Sequence, residues 1–261
     1  MTTVQAAILG LVQGVTEFLP VSSSGHLVLV QQFMGLKDRS VVSFDVLLHL
    51  GTLAAVMAVF GADLWALLKR PWQRLTVLLL ASFVPTAIIA LALKDWIEEL
   101  FASGKTLGIE FIISGLVLWL AIRVKAGRKG LDRMTVGDGA VIGVLQGVAI
   151  LPAVSRSGMT IAGALFRGLD RETAARYSFL ASIPVIAAAA AFDLLKLIKA
   201  HEAAQVVSAP YLVGTAVAAV SGFLAVRWMV RLIVRGALTG FVYYLLGLGA
   251  LVIALQVSGK L

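Results

Sequence analysis

The 261-residue sequence has no cysteine, three histidines and six prolines, and Asp, Glu, Lys and Arg together make up only 14% of it. Without cysteine there can be no disulfide and no thiolate metal site. A soluble domain carries about 25% charged residues, so this chain is short of groups to face water. HExxH, a Walker A loop and GxGxxG are all missing, which leaves zinc peptidase, P-loop ATPase and dinucleotide-binding readings without support. The first 30 residues lack a basic stretch and a small-residue cleavage site followed by a polar mature chain, so no removable signal peptide is expected.

What is present is apolar: 60% of the residues, gathered in long runs. Residues 75–93, 177–192, 203–226 and 236–259 contain no Asp, Glu, Lys or Arg. Each run is near or above the roughly 20 residues a helix needs to cross a bilayer core. A very apolar soluble bundle would need charged faces on most of its helices, and these runs have none. The net charge of +8 suggests nucleic acid in a soluble protein. Here the basic residues cluster between the runs, where membrane topology explains them, and no nucleic-acid partner is expected.

The chain repeats itself at an offset of 133. Gly10, Gln13, Gly14, Val15, Val21, Ser22, Ser24 and Gly25 meet Gly143, Gln146, Gly147, Val148, Val154, Ser155, Ser157 and Gly158 without a gap. In the first copy a helix from about Val4 is stopped at Leu19–Pro20. A polar turn, Ser22–Gly25, leads to a short helix ending at Met34–Gly35. One kinked transmembrane helix is an alternative. A re-entrant pair is preferred, because broken backbone at membrane depth survives only where protein or a water-filled cavity surrounds it. Spans are expected near 41–62, 75–93 and 107–124, then a second broken pair near 137–167 and spans near 171–195, 208–228 and 238–257. The expected fold is therefore an all-α polytopic membrane protein, a single integral-membrane domain over residues 1–261. It is built of two inverted-topology repeats, about 1–130 and about 134–261, each a re-entrant helix pair plus three transmembrane helices.

Three spans per repeat reverse the orientation of the second copy. Placing the loop of Lys69, Arg70 and Arg74 in the cytoplasm also puts Arg123, Lys125, Arg128, Lys129, Arg133, Arg167, Arg171, Arg176, Arg227, Arg231 and Arg235 inside. Lys37, Arg39, Lys94, Lys105, Lys196, Lys199 and Lys260 fall outside, and Arg156 lies within the second broken element. That bias puts both termini outside. Inverted repeats with broken helices usually place their working site near the midplane where the repeats meet.

Ionisable groups inside a membrane are expensive and commonly functional. Gln13 and Glu17 lie four apart, on one helix face, and Ser22, Ser23, Ser24 and His26 follow. The second elbow supplies Ser155, Arg156, Ser157 and Thr160. Each elbow opens a short helix whose free N–H groups and dipole favour an anion, and Arg156 offers a planar fork for phosphate oxygens. Duller roles stay open: the serines as helix caps, Glu17 as a partner for Arg156 alone, His26 as a core histidine. Asp45 and His49, four apart, could relay a proton or form a structural pair. Asp193, Glu110 and His201 fall near span ends, where solvated interfacial groups are the default. Asp95, Glu98 and Glu99 read as a solvated loop face, the Trp and Tyr residues as interfacial belts, and Pro85 and Pro184 as kinks.

These residues resemble the undecaprenyl-diphosphate phosphatase family of bacterial inner membranes, the bacitracin-resistance type, over essentially the whole length. The family's signatures are a (Glu/Gln)-x-x-x-Glu element with a Ser-rich turn and His, and a Pro-Gly-x-Ser-Arg-Ser-x-x-Thr element. They stand here as "QGVTEFLPVSSSGH" and "PAVSRSGMT". Gln13 takes the first Glu position and Ala153 replaces the usual glycine. The resemblance implies removal of the terminal phosphate from a C55 polyprenyl diphosphate, dependent on Mg²⁺ or Ca²⁺, at a site open to the periplasm. It implies membrane lipids around the chain and leaves a homodimer open. On that basis Ser23 is the expected nucleophile and His26 the general base and later acid. Glu17, helped by Gln13, holds the cation or orients His26. Ser22, Ser155, Arg156, Ser157 and Thr160 hold the phosphates. His26 as phosphoryl acceptor, with Ser23 as phosphate ligand, is the alternative. A transporter or flippase of a lipid phosphate is the competing function. The lipid phosphatases that use a histidine pair have little support, because His201 is the only histidine after Arg156.

Overall fold

A computed structural model of the chain describes residues 1–36, 40–125, 127–199, 208–259 and 261. His201, Lys37, Arg39 and Lys260 lie outside the described residues. Twelve helices and no strand occur among the described residues. The first broken pair is α1 (Thr3–Phe18) and α2 (Ser23–Phe33), followed by α3 (Ser40–Val59), α4 (Gly61–Lys69), α5 (Arg74–Ala92), α6 (Lys94–Ser103) and α7 (Leu107–Arg123). The second broken pair is α8 (Val136–Val148) and α9 (Arg156–Phe166), followed by α10 (Arg171–Lys199), α11 (Ala209–Arg235) and α12 (Thr239–Val257).

Local chemistry accounts for the boundaries. Thr2 caps α1 by accepting from the Gln5 amide, and the Gln5 side chain accepts from the Thr2 amide; Thr135 and Asp138 repeat this box at α8. Pro210 opens α11, and Gly236, in the left-handed region at φ 72°, closes it. Pro85 and Pro184 stay inside the continuous helices α5 and α10.

Helices α5, α10, α11 and α12 are each long and apolar enough to cross a membrane. The span expected near 41–62 turns by 78° between α3 and α4, so α4 leaves the path of α3. The helix found for the span near 107–124, α7, has 17 residues, slightly under the usual length. Asp95, Glu98 and Glu99 are exposed as expected, but on the helix α6 rather than a loop. Their apolar neighbour Ile97 turns inward, which gives the segment a helical face. Tyr177 departs from the belt reading: it is buried and its hydroxyl donates to the Leu78 carbonyl at 2.5 Å.

The halves interlock instead of standing side by side. Helix α1 packs on α11, α8 on α5, α7 on α12 and α3 on α10. The repeated glycines explain the first two pairings. A Cβ at Gly10 would stand 2.2 Å from the Gly214 carbonyl oxygen, and one at Gly143 would stand 2.2 Å from that of Ser82. Small residues let helix backbones approach closely in a membrane, and here that approach draws the two elbows together. Lys129, in the segment joining the halves, and Arg167, just after α9, each reach the buried Asp138 at 2.8 Å. They fasten the start of α8 to the end of α9.

Candidate functional site

The first elbow begins where Pro20 ends α1. The Val21 amide donates to the Leu19 carbonyl at 2.7 Å, a turn so tight that Ser22 is left at φ 69°, ψ 104°. It is the only non-glycine residue of positive φ among the described residues. Such conformations cost about 1–3 kcal/mol and cluster at functional sites. The second elbow turns through a wider bond, from the Val154 amide to the Leu151 carbonyl at 3.2 Å, and Ser155 is relaxed at φ −73°.

Two hydrogen bonds tie the elbows to each other. The Ser22 hydroxyl donates to the Pro152 carbonyl at 3.1 Å, and the Ser157 hydroxyl donates to the Leu19 carbonyl at 2.8 Å. Under the 133-residue offset Leu19 and Pro152 are the same position, so each elbow is latched by its partner at equivalent carbonyls. Ser22 and Ser155 also cap α2 and α9 by accepting from Gly25 and Gly158.

Against this frame sits a buried polar cluster. Glu17 Oε1 accepts from Arg156 Nη2 at 2.6 Å, across 139 residues of sequence. Glu17 Oε2 accepts from the Ser23 hydroxyl and from Gln13 Nε2, the latter at 3.1 Å. Both elbows therefore meet at one carboxylate. Glu17 is 7% exposed and Gln13 is fully enclosed. Removing two charges from water is offset only where they pair closely and are further hydrogen-bonded, which this carboxylate satisfies. Arg156 Nη1 is buried without a partner. A guanidinium with a spare donor beside a serine hydroxyl is prepared for a further anion.

His26 stands at one side of this cluster. Its Nδ1 lies 2.7 Å from the Ser22 carbonyl, which can only accept, so Nδ1 carries the proton. Its Nε2 then accepts from the Tyr244 hydroxyl at 2.6 Å, and the two rings stack at 5.7 Å. Ser23 and His26 share no hydrogen bond: the serine is turned to Glu17 and the imidazole to Tyr244. Thr160 is fully buried, its hydroxyl 3.0 Å from the Arg156 carbonyl and 2.5 Å from the Ser178 hydroxyl.

Several neighbours had other readings in the sequence, Asp45 and His49 as a proton relay or a structural pair among them. His49 Nε2 lies 4.0 Å from Glu17 Oε2, its Nδ1 donating to the Asp45 carbonyl at 2.8 Å. Asp45 itself accepts from Gln31 at 2.9 Å instead of from His49. Tyr244 was read only as a belt residue. Glu110, read as a solvated group near a span end, is 2% exposed and accepts from the Ala153 amide at 2.6 Å. Its position four residues into α7 suggested an interface; the elbow folded over it excludes water. A charged residue inside the first turn of a predicted apolar span was the one available signal.

A divalent cation would need oxygen ligands. No group of three or more His, Cys, Asp or Glu converges among the described residues. Gln13 Oε1, however, is buried and accepts nothing, next to the Glu17 carboxylate. An unpartnered acceptor beside a carboxylate suits a hard cation completed by phosphate oxygens, so the residues fit such an ion.

Residues 6–251 match the family described as bacitracin resistance protein BacA. The undecaprenyl-diphosphatase of Carboxydothermus hydrogenoformans is 53% identical over 261 residues, covering all of both chains. Undecaprenyl-diphosphatase 3 of Bacillus cereus is 43% identical over 256 residues, 98% of each chain. The undecaprenyl-diphosphatase of Moorella thermoacetica is 42% identical, covering 97% of this chain and 98% of its own.

Proposed function

The chain belongs to the bacitracin resistance protein BacA family, and we propose that its paired elbows carry out the hydrolysis its relatives are named for. The reaction converts undecaprenyl diphosphate and water to undecaprenyl phosphate and inorganic phosphate. It recycles the lipid carrier of peptidoglycan synthesis in a multi-pass membrane protein. The single observation that carries the reading is the junction of the elbows: Arg156 and Ser23 converge on Glu17, with a guanidinium donor left over.

The incoming diphosphate draws the Arg156 guanidinium toward its oxygens and releases Glu17 Oε1. Ser23 Oγ attacks the terminal phosphorus and its proton passes to Glu17 Oε2, the atom it already donates to. The bond to the bridging oxygen breaks, and undecaprenyl phosphate leaves. Water then attacks the phosphoserine, giving its proton to His26 Nε2 once Tyr244 yields, while Ser23 Oγ recovers its own from Glu17. His26 passes its proton to the departing phosphate. Arg156 and the uncapped amides of α9 stabilise the charge that develops on the phosphoryl oxygens. Gln13 and Glu17 would hold Mg²⁺ or Ca²⁺, which when bound would neutralise diphosphate charge. Ser22, Ser155 and Ser157 keep the elbows in register around the phosphate, and Thr160 braces α9 against α10. The polyprenyl tail lies among apolar helices, and the site opens to the periplasmic face of the bacterial inner membrane, with both termini on that side.

The test is cleavage without a gradient. Purified protein in detergent micelles is expected to release phosphate from undecaprenyl diphosphate. Intact diphosphate after incubation with divalent cation would instead favour a transporter of lipid phosphates.

A further inference from the structure

Glu110 is a carboxylate in an enclosed place for which the reaction above has no use. On α7 its Oε2 accepts from the Ala153 amide at 2.6 Å, and its Oε1 is buried without a partner. Ser114, one turn along, shares its single hydroxyl proton between the Ala153 carbonyl at 3.2 Å and the Glu110 carbonyl at 3.0 Å. It also accepts from the Ser155 amide at 3.0 Å. Three backbone groups directly ahead of Arg156 are thus satisfied by one face of α7. A buried donor left without an acceptor costs about 1–3 kcal/mol, so this stretch of turn depends on that face.

The first elbow has no such requirement. The offset of 133 sets Pro20 opposite Ala153, and proline has no N–H. The first turn is fixed by its ring; the second keeps a donor at the same place and needs an acceptor from elsewhere. We propose that Glu110 is a positioning residue for the hydrolysis: by holding the Ala153 amide it fixes the turn from which Arg156 reaches Glu17 and the substrate phosphate. This rests on the reading of Arg156 as the phosphate clamp.

The experiment measures phosphate release from undecaprenyl diphosphate by purified Glu110→Ala, Glu110→Gln, Ser114→Ala and Arg156→Ala, together with thermal unfolding in the same detergent. Misplacing a clamp by an ångström lowers the chemical step by about 10²-fold. Glu110→Ala is therefore expected to lose about 10- to 100-fold in kcat with KM within about threefold. Glu110→Gln keeps an acceptor oxygen and is expected to stay within about threefold of wild type. Ser114→Ala opens almost no cavity but strands the Ser155 amide; it is expected to lower kcat by about 10-fold with a modest drop in the unfolding midpoint and the fold retained. Wild-type kcat in Glu110→Ala, with Arg156→Ala inactive, overturns this inference alone. Glu110→Gln as impaired as Glu110→Ala overturns it too, because hydrogen-bond acceptance is then not what matters. Should Glu110→Ala fail to fold, Ser114→Ala decides, and wild-type kcat there overturns the inference. Full activity in Arg156→Ala would instead overturn the reading of the site.

Discussion

The elbow at Leu19–Gly25 and the elbow at Pro152–Gly158 share one sequence pattern, yet they hold themselves in different ways. The first turns at a proline, with a tight amide-to-carbonyl bond and a strained Ser22. The second turns more widely, is relaxed at Ser155, and depends on Glu110 and Ser114 of α7 for its backbone partners. At and beside the first stand Glu17, Ser23 and His26, the groups proposed to move protons and attack phosphorus. The second carries Arg156, suited to hold the phosphate. Two segments of one pattern can divide labour this way because the latches that join them fall on backbone carbonyls, Leu19 and Pro152. Side chains between the latches are not needed to join the segments.

The comparison breaks most visibly if one half of the cluster is removed. Arg156→Ala and Glu17→Ala should each lower phosphate release by about 10³-fold, because each also leaves a buried charge unpaired. Activity near wild type in both variants would end the division proposed here. Ser23→Ala should abolish turnover to a similar degree, whereas His26→Ala should slow breakdown of the phosphoserine and let phosphate accumulate on the protein. Label trapped on His26 in Ser23→Ala would assign acceptance to the imidazole.

A second pair of variants sharpens the comparison at the packing level. Gly10→Ala and Gly143→Ala each press a Cβ onto a facing carbonyl. Overpacking costs about 1–3 kcal/mol, so both should lower the unfolding midpoint in detergent by similar amounts. A large drop in only one would mean that the halves are not held together equivalently. The smallest effect is expected of Tyr244→Phe. It removes one hydrogen bond to His26 Nε2, worth about 0.5–1.5 kcal/mol. Turnover should change by about threefold either way, read from kcat with the unfolding midpoint as control.

Although the bend into α4 and the helix α6 were not legible in the sequence, the class of the protein, its long apolar helices and the two elbows were, because hydropathy and helix stops are local. So were the polar residues at the breaks, which the offset of 133 doubled. The cluster's wiring was not. Ser23 and His26 are one turn apart on α2, a spacing that invites a nucleophile–base pair, but each finds a nearer partner on another helix, Glu17 on α1 and Tyr244 on α12. Glu110 looked like a solvated end of a span, since nothing near it in sequence foretells the elbow that covers it.

Sequence by itself determined that this chain lives in a bilayer, that it is broken twice at related places, and which polar groups sit at the breaks, because burial of apolar runs and loss of helix at proline depend on neighbours along the chain. Only the tertiary structure decided that Arg156 reaches Glu17, that Ala153 rests on Glu110 and that His26 is held by Tyr244. Those contacts follow from glycine-lined helices of one half pressing on the other, and a hydrogen bond between distant segments exists only where that packing brings donor and acceptor within about 3 Å.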